Sequence, residues 1–141
     1  SRPLPMSPIP NTRPEIVFER LFDGRPVIAP RGDGWESGVT FNTAAVYVAN
    51  VPENARVLAA LLGDDAANHP DGVAVLHYRA RPKEDAGFPW TRSYVGLSVH
   101  APDLTPIKRW DGPVVSPGGE GSIDELGVED PRVTYHAGRY W

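Results

Sequence analysis

At 141 residues, 40% hydrophobic and 23% charged, the chain has the composition of a globular domain large enough for one core. Its net charge of −4 and the lack of any Lys/Arg run exclude an electrostatic footprint for nucleic acid or an anionic membrane, so neither partner is expected. It has no cysteine, which excludes disulfides, thiolate metal sites and a cysteine nucleophile.

Residues 1–14, "SRPLPMSPIPNTRP", hold five of the sixteen prolines. Such a stretch favours extended conformations, and an N-terminal arm over 1–23 is expected to pack on its own domain or on a second copy in a homo-oligomer. It contains no apolar h-region, and no later stretch approaches the ~18 apolar residues of a membrane span. The absence of cysteine fits a cytoplasmic protein, and that is the expected compartment. "EIVFERLF" (Glu15–Phe22) has apolar spacing that fits a short helix or a strand equally.

Beyond this point the chain reads as all-β. "VTFNTAAVYVA" (Val39–Ala49), "GVAVLHYRA" (Gly72–Ala80), "RSYVGLSVHA" (Arg92–Ala101) and "PRVTYHAGRYW" (Pro131–Trp141) are rich in β-branched and aromatic residues and bounded by Gly, Pro and Asp. One helix, over about 52–63, interrupts the first strand connection. Pro52 opens it, Val57, Leu58, Leu61 and Leu62 give it an apolar face, and Gly63 stops it.

Two segments echo each other. "GRPVIAPRGDGWESGVTFN" (Gly24–Asn42) and "DGPVVSPGGEGSIDELGVEDPR" (Asp111–Arg132) each read as a Pro-Val-aliphatic-x-Pro strand, a Gly-rich acidic loop and a strand that opens on polar side chains. Pro26 and Pro113 lie 87 positions apart. With the helical insertion removed, that is somewhat above the ~40–50 residues of a propeller blade. As blades, the two copies place Asn42 and Asp130 on equivalent innermost strands, facing one axial pocket.

The closing "GVEDPRV" carries the strongest chemical signal. Pro131 removes a backbone donor and biases Asp130 towards extended geometry. Arg132, two residues on, shares a strand face with it. Arginine lowers the acid's pKa and burial beside Glu129 raises it. A general acid needs the second effect to win; an isolated Glu-Asp-Pro-Arg is equally a salt-bridged surface turn.

Taken as a series, "VTFNTAAVYV", "LHYRA", "YVGLSVHAPDL" and "GVEDPRVTYHAGRYW" resemble glycoside hydrolase family 130, the β-mannoside phosphorylases and related mannosidases. The resemblance spans residues 24–141 and implies an all-β, five-bladed propeller family, with about two blades over 24–141 and the helix as an insertion. It implies Asp130 as the catalytic general acid and Asn42 and Arg79 as ligands of the sugar beside the cleaved bond. Arg132 would orient Asp130 or meet the nucleophile, and Glu129 would be a supporting carboxylate that also contributes to substrate binding. The implied reaction is inverting phosphorolysis of a mannose-containing oligosaccharide, with inorganic phosphate as co-substrate and no other cofactor. One acid suffices there, because phosphate brings its own nucleophilic oxygen, whereas a hydrolase needs a second carboxylate as base. The alternatives are β-mannoside hydrolysis and a non-catalytic propeller module that binds glycan or protein.

The sequence departs from the family pattern at Thr43, where proline is usual, and over His100–Asp103. The family's phosphate-binding residues and later blades would follow Trp141, so the expectation is a fragment, a short relative or half of an oligomer. His69, His77, His100 and His136 fall at no metal-ligand spacing, and no metal is expected. Of the four tryptophans, Trp90 in the polar loop "GFPWTRS" is the best platform for a sugar face. Arg31-Gly32-Asp33 matches an adhesion tripeptide, which a Gly-rich turn produces by chance. Ser98 and Ser116 lack a nucleophile elbow.

Overall fold

Alternation of apolar side chains with period two lets a strand bury both faces of a sheet differently, and this chain uses that property. In the computed structural model, which describes residues 16–89 and 91–141, four strands run β1 (Val39–Val48), β2 (Val73–Arg81), β3 (Tyr94–His100) and β4 (Pro106–Arg109). They form one antiparallel sheet in the order β1-β2-β3-β4. The expected all-β class therefore holds, as do the first three strands. β4 was not anticipated, because Lys108 and Arg109 break its apolar alternation. The residue-1–14 arm and the platform expected of Trp90 lie outside the described residues.

On one face of the sheet, Val48, Val73, Val75, Leu97 and Val99 are buried under the insertion. That insertion is the short helix α1 (Ala55–Leu62), preceded by a 3-10 turn at Pro52–Asn54 and followed by another at Gly63–Asn68. Proline is compatible with the first turn because its missing N–H has no intrahelical acceptor there. Leu58 and Leu62 are buried against the strands and Val57 and Leu61 pack beside them, as their i, i+3, i+4 spacing requires. Gly63 ends the helix at φ +59°.

On the opposite face, Tyr78 and Ala80 of β2 and Tyr94 of β3 are covered by Trp35 and Ile28. Trp35 stacks on Tyr78 with centroids 6.1 Å apart and rings 20° from parallel. Gly96, opposite Tyr78 on β3, makes this possible: a methyl group there would overlap the Tyr78 ring and lie 2.6 Å from Trp35 Cη2. Trp35 is anchored by its indole N–H, which donates to the Asp111 carbonyl at 2.8 Å.

Three local expectations need correction. Ile16–Arg20 adopt no regular structure, and Leu21–Gly24 form a turn with Phe22 and Asp23 at φ 51° and 55°; neither an α-helix nor a strand forms over Ile16–Phe22. The two Pro-Val-aliphatic-x-Pro segments are not strands either. Val115 makes an isolated bridge to Val95, while Ile28 is held by the Thr40 hydroxyl donating to its carbonyl at 2.6 Å. Prolines at both ends remove the donors a longer ladder needs. Finally, Pro131–Trp141 is not one strand but an irregular approach to a small hairpin, β5 (Tyr135–His136) with β6 (Arg139–Tyr140). Ala137 and Gly138 form its turn at φ 50° and 76°, both positive as a tight two-residue hairpin turn demands.

Candidate functional site

Asn42 reaches its place through a defect in β1. The β1–β2 register shifts between Phe41 and Ala44, and Asn42 sits in the bulge at φ +48°. Asparagine tolerates this left-handed region better than most residues, and a bulge re-aims the side chain it carries. Across from it, Phe41 pairs with Arg79, and the guanidinium lies 4.7 Å from the Phe41 ring centroid. Arg79 shares a face of β2 with Val73, Val75 and His77 by alternation, at the end away from α1.

Asp130 and Glu129 come from the loop after β4, which is clamped to the chain just before β3. Val128 N–H donates to the Ser93 carbonyl at 3.0 Å. Gly127, at φ +136°, lies so close that a Cβ would sit 2.8 Å from the Ser93 nitrogen, and only glycine satisfies both conditions. Asp130 itself adopts φ +20°, not the extended geometry that the following proline favours. Its polar contacts supply the reason: Asn42 Nδ2 donates to Asp130 Oδ1 at 2.7 Å and Arg79 Nη1 to the same oxygen at 3.1 Å.

Arg79 completes the cluster. Its Nε donates to Ser93 Oγ at 2.8 Å and its Nη2 pairs with Glu129. The guanidinium side chain is 13% exposed, while Glu129 and Asp130 are 64% and 45% exposed. The hydrogen bond from Asn42, and next that from Arg79, hold the Asp130 carboxyl below the usual carboxylate range. The cluster so far is therefore a set of acceptors for hydroxyl donors, with a net formal charge of −1 from one guanidinium and two carboxylates. A free anion is disfavoured at that spot, and a neutral polyol is not.

Of the residues expected to act together, Asn42, Arg79, Glu129 and Asp130 are joined directly. Arg132 is not joined to Asp130: its Nη1 donates to the Pro131 carbonyl at 2.9 Å, and Arg79 takes the partnership assigned to it. The loop is not a strand, so the shared face on which the Asp130–Arg132 pairing rested does not exist. Arg132 lines an adjoining cavity of about 390 Å³ whose wall also includes Glu129, His77, Tyr140 and Trp141. Ser93 and Phe41 were missed. Phe41 was legible as the cross-strand neighbour of a β2 arginine, whereas nothing in "TRSYV" marks Ser93.

A second polar cluster lies on the other face. Glu36, 4% exposed, accepts from Arg31 Nε at 2.6 Å, Tyr78 Oη at 2.6 Å and Arg109 Nη2 at 2.5 Å. Burial, and next the hydrogen bond to Glu36, push the Tyr78 hydroxyl up to about 12. Every partner is used internally, so this cluster fastens residues 31–36 to β2 and β4. His100 is spent in the same way, between Ser98 Oγ at 2.7 Å and the Leu104 carbonyl at 2.9 Å.

Among the described residues, no group of three or more histidine or acidic side chains could hold a metal ion, and no helix is long and apolar enough to cross a membrane. Comparison with protein-family models, with curated proteins and with solved structures finds no match.

Proposed function

We propose that this chain carries the sugar-binding and acid-bearing part of a carbohydrate-active enzyme that cleaves β-mannosides by inverting phosphorolysis. The reading rests on the resemblance to glycoside hydrolase family 130. One observation carries it beyond the sequence: Asn42, Arg79 and Asp130 come from three separated motifs and meet within hydrogen-bond distance. A salt-bridged surface turn would not recruit partners 88 and 51 residues away. The four-stranded antiparallel meander is also the unit from which propeller blades are built, and it supports the family's architecture to that extent.

In this reading a mannose unit enters between Asn42 and Arg79 on one side and Asp130 on the other. Its hydroxyls accept from the amide and the guanidinium and donate to the carboxylates. The sugar then takes both donors from Asp130 Oδ1 and covers the carboxyl from water. Loss of donors and desolvation both raise its pKa, so the group held ionised in the free protein becomes able to carry a proton in the complex. Asp130 gives that proton to the glycosidic oxygen as the C1–O bond breaks. A phosphate oxygen forms the new bond to C1 from the opposite face, yielding mannose 1-phosphate and the freed alcohol. Arg132, on the cavity that adjoins the cluster at Glu129, is the residue assigned to meet that phosphate.

The depressed carboxyl and its exposure favour a second reading, in which Asp130 is only an acceptor and the domain binds glycan without cleaving it. Full-length protein incubated with a panel of β-linked mannosides, with and without inorganic phosphate, separates the readings. Mannose 1-phosphate formed only with phosphate supports phosphorolysis, and Asp130→Asn should then lower turnover by about 10²-fold or more. Free mannose without phosphate identifies a hydrolase, and binding without turnover a glycan-binding module. Neither binding nor turnover removes the carbohydrate assignment.

A further inference from the structure

Arg79 is the element on which the candidate site depends, and an unrestrained arginine side chain populates many rotamers. Here each part of its guanidinium is engaged. Phe41 covers the plane, and Nη1 and Nη2 face Asp130 and Glu129. The third nitrogen, Nε, donates to Ser93 Oγ at 2.8 Å. Both carboxylates belong to the loop after β4 and not to the sheet. The Ser93 hydroxyl and the Phe41 ring belong to the sheet or its border, so they alone can fix the fork when sugar hydroxyls replace the carboxylates.

Ser93 does a second thing. Its carbonyl accepts Val128 N–H at 3.0 Å, and its nitrogen is the surface against which Gly127 is pressed. The side chain therefore sets the arginine and the backbone sets the acid loop, from one residue that is 1% exposed. We propose that Ser93 is the positioning residue of this site: its hydroxyl locks the Arg79 fork for a pair of adjacent sugar hydroxyls, and its carbonyl registers the Glu129–Asp130 loop against that fork. The part concerning sugar rests on the proposed function; the locking of Arg79 does not.

Ser93→Ala isolates the hydroxyl, since the carbonyl clamp on Val128 survives the substitution. NMR titration of the full-length variant should show the Asp130 carboxyl moving up towards its ordinary 3.8, because Arg79 no longer holds its place. The substitution should cause no further movement in an Arg79→Lys background, where no Nε donor is present. For mannoside, KM should rise about tenfold, the equivalent of one hydrogen bond to a charged group, with kcat little changed. An Asp130 titration unmoved by Ser93→Ala, or moved equally in the Arg79→Lys background, overturns the proposal even if stability falls. Should the variant not fold, the wild-type protein still decides: the Arg79 Nε proton must be exchange-protected near neutral pH, and a freely exchanging one defeats the assignment. If wild-type protein binds no mannoside, the carbohydrate reading fails while the Asp130 titration still tests Ser93.

Discussion

Single side chains in this protein divide between those that hold the fold and those held ready for something else. Tyr78 belongs to the first kind. Its hydroxyl is one of three donors to a buried carboxylate, so Tyr78→Phe leaves Glu36 short of a partner and should cost about 1–3 kcal/mol in urea unfolding. Unchanged stability would mean that Arg31 and Arg109 suffice. His77 and Asp130 each make stability depend on pH, in separate windows. Burial lowers the His77 pKa from 6.5, and its Nδ1 is enclosed without a hydrogen-bond partner. The unfolded chain binds the proton more readily, so stability is full above about 6.5 and falls as the pH drops towards the folded value. Asp130 is depressed below 3.8: its contribution is present above 3.8 and is lost only as the pH falls through the lower, folded value. Thermal unfolding followed from pH 8 to about 2 should show two acid-side declines, the first abolished by His77→Phe and the second reduced by Asn42→Ala.

At the level of elements, the helical insertion was legible to within a few residues because its signals are local: proline at the start, glycine at the end, and an apolar stripe between. Its removal from the site is equally clear. Leu58 is 2% exposed in the cluster at the far end of the face that carries Arg79. Leu58→Ala should therefore cost about 2–5 kcal/mol while leaving the Asp130 titration unchanged. A shifted titration would reveal coupling along β2 through His77. Strands β1 to β3 were also legible from their β-branched runs. What escaped was decided by contacts between distant segments. The β1 bulge exists so that Asn42 can reach Asp130, and no residue near Asn42 announces it. The Pro-Val-aliphatic-x-Pro echo suggested two like strands, yet one copy meets β3 at a single bridge and the other rests on a threonine. Sequence likeness there reflects similar turn chemistry. Asn42, Arg79 and Asp130, which the structure brings together, lie in motifs visible in the sequence; Ser93, placed by tertiary packing alone, lies in none.

For the whole molecule, the sheet is a spine with a core on each face, and its stability should grade outward from the middle. β2 and β3 are hydrogen-bonded on both sides, whereas among the described residues β1 pairs only with β2 and β4 only with β3. Local opening exposes edge amides without unfolding the centre, so hydrogen exchange should be slowest for amides of β2 and β3 and fastest for the β5–β6 hairpin. β1 carries a diagnostic of its own. It is ten residues long and has no charged residue or proline, the devices by which edge strands usually discourage pairing; its one break is the bulge at Asn42. Amides that point away from β2 should exchange rapidly in an isolated domain. If they are instead as protected as those bonded to β2, another strand covers that edge in solution, as a neighbouring blade or a second copy would. The distinction bears on chemistry, because Asn42 projects from this same strand. A covered edge encloses the Asn42–Arg79–Asp130 cluster on the side now open and strengthens its electrostatics by excluding water. Repeating the exchange across a range of protein concentrations separates the two: protection by a second copy fades on dilution, and protection within one chain does not.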